Sequence, residues 1–403
     1  MNLSHSAKQY GEVAILSAIA IVIGAAIGGL DAVFGHVLIY VSNLRTAHPW
    51  WLIPILPFAG LVIAYMYNYA GKDCYRAMAL VFEAGHGERD NLPLRLIPLV
   101  IVSTWITHLF GASAGREGVG MQIGGVIGNR VGKMVPIKNA PKILLLAGMA
   151  AGFSGLFQTP FAAFFFALEV LTAGRLEYDA LVPIFVGSFV GDLVAARLGM
   201  PKFAMPLQIS FQLTWMFAAK CVLLGIVFGV VGRLFAESLE RTRNYFRSFF
   251  FEKPFKQIFS VGIVVAVLSL LLFSGRYSGL GENLIVDAFQ GHAYYYDWIL
   301  KLFLTIISLA AGFRGGEVMP LFVIGAALGA VLAPYFGVPL VLAVALGYVA
   351  VFGAGTNTML APMFAGAEIF GFHYLPLFFI VCLIAYFFNG NKSIYHLQKH
   401  EML

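Results

Sequence analysis

Charge is scarce in this chain. Asp, Glu, Lys and Arg make up 11% of its 403 residues, where a soluble globular domain carries about 25%. Beside a hydrophobic content of 60%, that shortage excludes a water-soluble fold and points to an all-α polytopic membrane protein. Cysteine is nearly absent too. Cys74, Cys221 and Cys382 are odd in number and scattered, which gives neither a disulfide framework nor a metal site. The nine histidines show no metal spacing, and no His-Glu-x-x-His, Gly-x-Ser-x-Gly or phosphate-binding loop occurs. No metal and no cofactor are therefore expected, and the net charge of +6 needs no nucleic-acid partner.

What fills the chain is apolar sequence. No gap between apolar stretches could hold a separate cytosolic domain, so one integral membrane domain is expected. The first strong run begins near Glu12 and passes Leu38 without a small-residue cleavage pattern, and reads as a retained span rather than a signal peptide. Arg241, Arg243, Arg247, Lys253 and Lys256 lie between two apolar runs and read as a cytoplasmic loop under the positive-inside rule. Arg130, Lys133, Lys138 and Lys142 form a second basic loop on the same side.

Segments 12–40, 51–70, 93–110, 177–198, 212–236, 256–274 and 298–313 are long enough to cross a bilayer. Segments 73–85, 117–131, 142–156, 160–172, 317–334, 338–353 and 359–370 are short or interrupted by Gly, Pro, Ser, Thr or Asn. Short helices that stop inside the membrane place their end dipoles within the protein, as transporters and channels require. A receptor or scaffold has no need of them.

The two halves repeat. Gln122-Ile-Gly-Gly-Val-Ile-Gly128 resembles Val323-Ile-Gly-Ala-Ala-Leu-Gly329 at an offset of 201. Gly148-Met-Ala-Ala-Gly-Phe-Ser-Gly155 resembles Gly347-Tyr-Val-Ala-Val-Phe-Gly-Ala354 at an offset of 199, as do Glu169 and Glu368. A duplication is expected, with transmembrane repeats at 1–205 and 206–403. Such repeats are often inverted, with the binding site where they meet near the midplane.

Two glycine-rich runs carry the chemistry. In Gly115-Arg116-Glu117-Gly118-Val119-Gly120, glycine lets backbone amides approach a ligand, and the helix that opens there favours an anion. Glu117, itself anionic, can occupy the ion's place when ionised and leave it when protonated. The alternative is a structural pair with Arg116. In Gly315-Gly316-Glu317-Val318-Met319-Pro320, Glu317 reads either as part of the same anion and proton pathway or as a first-turn residue stabilised by the dipole. The breaks at Phe153–Pro160 and Phe352–Thr358 can supply anion donors or serve tight helix packing. Tyr395, near the last membrane edge, is ambiguous alone, and a tyrosine there is most often an interfacial anchor.

Taken together, these runs, the Phe-Gln-Thr-Pro-Phe-Ala-Ala break with Glu169 nine residues after Pro160, and the tail tyrosine resemble the CLC family of anion channels and proton-coupled antiporters. The resemblance spans essentially the whole chain. It implies the CLC fold: two inverted-topology repeats with broken half-membrane helices, and a homodimer with a pore in each subunit. By match, Glu117 is the external gating glutamate and Tyr395 the pore-lining tyrosine. Chloride-transporting members carry Gly-Ser-Gly-Ile-Pro early in the chain, where this one reads Gly71-Lys-Asp-Cys-Tyr-Arg-Ala-Met78. Their gating run continues with proline where Val119 stands. Their internal proton-transfer glutamate is replaced here by Val170, and Glu317 stands where they have an apolar residue.

This set of changes is similar to the fluoride-exporting branch, which replaces the central serine, commonly with methionine or asparagine, and carries Gly-Gly-Glu in the second half. Met78 is the candidate replacement, and the branch often has threonine where this chain has Met319. The anion-binding set expected is Met78, Gly115, Arg116, Gly118, Gly315, Gly316, Val318, Met319 and Tyr395, with Glu117 as gate and proton carrier and Glu317 in the proton and anion pathway. The reading that results is a proton-coupled fluoride exporter, a multi-pass homodimer of a bacterial inner membrane, whose partners are fluoride, protons and the lipid bilayer. A chloride-selective antiporter or passive anion channel is the alternative. An enzyme using Glu117 and Glu317 as an acid–base pair lacks any accompanying nucleophile.

Overall fold

In hydrocarbon every backbone N–H and C=O must find a partner within the protein, and the chain meets this with helices. The computed structural model describes residues 3–212 and 214–401, so residues 1 and 403, at the ends of the two expected repeats, lie outside it. The first half comprises α1 (Leu3–Ala47), α2 (Pro49–Leu52), α3 (Leu56–Tyr65), α4 (Met78–Gly85), α5 (Leu96–Leu109), α6 (Glu117–Gly132), α7 (Ala140–Phe157), α8 (Pro160–Glu169) and α9 (Leu181–Arg197). The second comprises α10 (Trp215–Phe249), α11 (Pro254–Leu271), α12 (Glu282–Gln290), α13 (Asp297–Ala311), α14 (Val318–Phe336), α15 (Leu340–Thr356), α16 (Leu360–Phe370) and α17 (Leu375–Phe388). A short parallel pair, β1 (Thr172–Ala173) and β2 (Lys399–His400), ties the C-terminal segment to the end of α8.

Lengths sort these helices. At about 1.5 Å per residue, α1 spans about 67 Å and α10 about 52 Å, beyond the roughly 30 Å of a hydrocarbon core. The ten residues of α8 and eight of α4 reach only about half-way. The paired sequence runs fall on α6 and α14, and on α7 and α15, the most deeply buried helices of each half. Glycines explain how these pairs approach. On α6, Gly120, Gly124 and Gly128 face the carbonyls of Gly152, Gly148 and Leu144 on α7 so closely that a Cβ has no room. On α14, Gly325 and Gly329 face Gly347 and Ala343 of α15 in the same way. Small residues one turn apart let backbones touch where lipid gives no hydrophobic drive.

Several expected boundaries change. Arg241, Arg243 and Arg247 are not in a loop: they belong to the last turns of α10. Pairs four residues apart, Arg233 with Glu237 and Glu237 with Arg241, carry that helix past its apolar part. Segment 51–70 is broken into short pieces around Pro54 and Pro57. Only the end of 73–85 is α-helical; Lys72–Arg76 forms a 3-10 turn, and Ala77, at φ +49°, redirects the chain before Met78. Helices α12 and α17 were not among the expected segments.

The matched breaks are also structural. Each preceding helix ends in a left-handed residue, Gln158 at φ 57° and Asn357 at φ 53°. Pro160 then opens α8 without a free N–H, and a carboxylate from the opposite half takes the next ones. Glu368 accepts from the N–H groups of Phe161 and Ala162 at 3.1 and 2.9 Å. Glu169 accepts from Met359, Leu360 and Ala361 at 3.0, 3.1 and 2.8 Å. The backbone donors just after these breaks are therefore spent on the protein, while Thr159 Oγ1 and Asn357 Nδ2 within them have no partner among the described residues.

The α6–α7 contact is the fold's tightest test. Gly124→Leu places a side chain into the Gly148 carbonyl and should destabilise the protein by about 3 kcal/mol or more, read as aggregation on size-exclusion chromatography in detergent. Gly29→Ala, which meets nothing within 4 Å, should elute and melt like the parent.

Candidate functional site

The two glycine-rich runs meet. Each follows a helix, α5 or α13, and each is tied to the other half's helix through a hydroxyl. The N–H of Ser113 donates to Ser308 Oγ at 3.2 Å, and the N–H of Arg314 donates to Thr107 Oγ1 at 3.1 Å. Gly115 and Gly316 then form a two-way antiparallel bridge, N–H to carbonyl at 2.6 and 2.8 Å. Gly118 lies so close to Gly316 that a Cβ there would stand 3.2 Å from the Gly316 Cα. Helices α6 and α14 start from this bridge.

Glu117, the first residue of α6, is fully buried. Its Oε2 accepts from the N–H groups of Met319 and Arg116, both at 3.2 Å, while Oε1 has no hydrogen-bond partner. The carboxylate of the first half thus sits on an orphan amide in the first turn of α14, the position that an anion favours. The Arg116 Nε stands 3.8 Å from Oε1, and its guanidinium also reaches Glu282 at 3.6 Å. Glu117 thus has an arginine neighbour and lies against a backbone N–H in the first turn of α14.

Glu317 is placed differently. It precedes Val318, the first residue of α14, and its carboxylate pairs with Arg243 of α10 at 2.9 Å. That pair lies at a cavity of about 430 Å³, whose walls include Met78, Gln122, Arg314, Glu317 and Tyr395, with Gly315 alongside. Arg243 and Arg247 also line it, so the cavity opens toward the basic end of α10. Glu117, Gly115, Arg116, Gly118, Gly316, Val318 and Met319 gather about the bridge instead, apart from the cavity lining. Met319 contributes its backbone N–H, and its thioether is buried away from the cavity.

Tyr395 is no interfacial anchor. It is 6% exposed, its ring stacks on Phe82 at 5.1 Å, and its hydroxyl has no partner within the protein. The segment after α17 holds it there. Ile394 N–H donates to the Gly355 carbonyl at 2.9 Å, and Gln398 Nε2 donates to the carbonyls of Val170 and Thr356 at 3.0 and 3.2 Å. Further out, the Lys399 ammonium donates to Glu88 at 2.6 Å and holds that exposed carboxyl below the usual range.

Arg314, Arg243 and Gln122 also line the cavity and lie outside the set expected from the sequence. Arg314 lies over the Tyr67 ring at 4.1 Å and donates to the Tyr75 carbonyl at 3.0 Å. Its place directly before Gly315 was the available signal. A larger cavity, about 600 Å³, lies elsewhere, against Glu169, Arg175 and Glu177. The carboxylate at its wall already serves α16.

Accessibility can be checked directly. In a variant with the three buried cysteines replaced by alanine, Met78→Cys should react with a small water-soluble thiol reagent at least about tenfold faster than Val119→Cys. Mass spectrometry reads the adduct.

The voltage gated chloride channel family model matches residues 59–390. A protein of Pseudomonas syringae pv. tomato named "Chloride/fluoride channel protein" is 36% identical over 381 residues, covering 92% of this chain and 83% of that one. The crystal structure of a CLC-type fluoride/proton antiporter superposes with a TM-score of 0.95 at 46% identity, over 97% of this chain and 99% of that one. A slow cyanobacterial Cl-/H+ antiporter shares the fold at a TM-score of 0.80 and 20% identity, over 94% and 96% of the two chains.

Proposed function

Since the chain belongs to the voltage gated chloride channel family, whose members are membrane transport proteins rather than enzymes, we propose that it is a proton-coupled fluoride exporter. The observation that carries this reading is the Glu117 carboxylate held by the Met319 N–H at 3.2 Å. A negatively charged oxygen at a helix N-terminus competes with an anion for the same donors. Ionised, Glu117 holds the position; protonated, it loses the charge that keeps it there and fluoride enters. Alternating the two carries a proton one way and fluoride the other, so inward proton flow drives fluoride out.

The remaining residues take their roles from position. Met78 and Tyr395 line the inner cavity, where the Tyr395 hydroxyl is free to donate to an anion. Glu317, against Arg243 at the same cavity, exchanges protons with the inner solution, a task left open by Val170. Gly115, Gly118, Gly315 and Gly316 bring backbone amides together, and Arg116 and Val318 flank them. The basic end of α10 faces the cytoplasm under the positive-inside rule. We place the boundary between repeats at residues 205 and 206, and the working protein as a homodimer in a bacterial inner membrane. The name of the Pseudomonas relative, chloride/fluoride channel protein, supports a second reading, a passive channel for chloride and fluoride.

Reconstitution into liposomes separates the two. The exporter reading expects fluoride efflux at least about tenfold faster than chloride efflux, a difference of about 1.4 kcal/mol, together with proton uptake driven by the fluoride gradient. Equal halide rates, or fluoride flux without proton movement, would refute it. Glu117→Gln, neutral at every pH, should abolish proton exchange. Glu317→Gln should reduce proton uptake per fluoride while fluoride binding stays near the parent's; unchanged coupling in that variant removes Glu317 from the route.

A further inference from the structure

Fluoride is small and strongly hydrated, and it leaves water only where hydrogen-bond donors replace that shell. The inner cavity is walled by Arg76, Arg243, Arg247, Arg314 and His396 together with groups that cannot donate. Met78 offers a thioether, which cannot donate, and the Met319 side chain is buried elsewhere. Arg243 is paired with Glu317, and Arg314 is directed to Tyr67 and the Tyr75 carbonyl. Among these wall side chains Gln122 is a nearly buried, uncharged amide. Gln122 is 5% exposed and lies on α6 five residues after Glu117.

Its carboxamide is only half committed. Nε2 donates to the Gly118 carbonyl at 3.0 Å, whereas Oε1 has no partner. That carbonyl already receives the Gln122 backbone N–H in the regular i→i−4 pattern of α6, so turning the amide away orphans nothing. The second half argues against a packing role. At the offset of 201, the residue matching Gln122 is Val323, fully buried on α14. An apolar side chain thus serves the helix contact at the equivalent place, and the amide is specific to the half that bears Glu117 and faces the cavity.

We propose that Gln122 is a selectivity-determining residue for the transported anion, turning its N–H groups from the Gly118 carbonyl toward fluoride in the cavity beside Tyr395. This rests on the reading of the protein as a fluoride exporter. A smaller, harder anion gains more from an added donor than chloride does, so the amide favours fluoride over chloride.

The test uses the full-length protein in liposomes, with fluoride and chloride efflux measured separately. The parent is measured first: if it does not prefer fluoride, the exporter reading fails, and this proposal with it. If it does, Gln122→Met should lower fluoride efflux about tenfold or more, the loss expected when one hydrogen bond to a charged partner is removed. Chloride efflux should fall by less, so the fluoride-to-chloride ratio drops. Gln122→His, which restores an N–H donor, should recover part of the ratio. Fluoride titration of the detergent-solubilised protein, in fractions that elute as the parent does, should show the same weakening for Gln122→Met. An unchanged ratio in Gln122→Met, or an equal loss for both halides, would overturn the proposal while leaving the exporter reading standing.

Discussion

The bridge between Gly115 and Gly316 is the constraint on which the rest of the site depends. Two helices can point their N-termini at one place only if their first turns are joined, and side chains at the junction would hold them apart. Glycine on both sides lets the backbones pair directly, with reciprocal hydrogen bonds of 2.6 and 2.8 Å. The junction is buttressed symmetrically. Ser308 of α13 holds the loop before α6, and Thr107 of α5 holds the loop before α14. These pairs, and the bridge itself, share one offset of 201 residues. A duplicated sequence gives both halves of each contact at once, because what one repeat offers as donor the other offers as acceptor.

The carboxylates show why only one of them suits a gate. Glu169 uses both oxygens on three backbone N–H groups of the opposite half, and Glu368 uses both on two. These are caps at helix starts, and releasing either would orphan two or three amides at once. Glu117 sits at the same kind of position but hydrogen-bonds through a single oxygen, with longer contacts of 3.2 Å, and leaves the other only the Arg116 guanidinium at 3.8 Å. Less is lost when it moves, and an anion can take over the amide it vacates. The number of bonds, rather than the presence of a buried carboxylate, sets the proposed gate apart from the two caps.

The sequence disclosed this division only in part. Glycines spaced by four residues and two charged runs in an apolar chain pointed to α6, α14 and their meeting, because intramembrane charge is rare and close helix approach demands small residues. The equal offset of Glu169 and Glu368 was visible, yet their reciprocal capping was not, since it depends on which half lies opposite. Arg243 escaped notice for a different reason. A charged stretch after an apolar run looks like a loop, although Arg233, Glu237 and Arg241, each four apart, already spelled a continuing helix. Tyr395 was legible only through family resemblance; an isolated tyrosine says nothing of the tail that buries it.

Symmetry in the duplicated fold ends at Glu317. At the offset of 201 set by the bridge it matches Arg116, while Glu117 matches Val318, and its partner is a guanidinium at a cavity mouth rather than a buried amide. The length of α10 makes the difference, because its last turns bring Arg243 across to the second-half run and have no counterpart beside Glu117. An exchanger needs such inequality. Two equivalent carboxylates at one junction would bind and release together and give a proton no direction. In the proposed exchanger, one carboxylate buried among helix amides and one in contact with a basic, solvent-facing cavity differ in what they lose on protonation, and on that proposal the difference orders the steps.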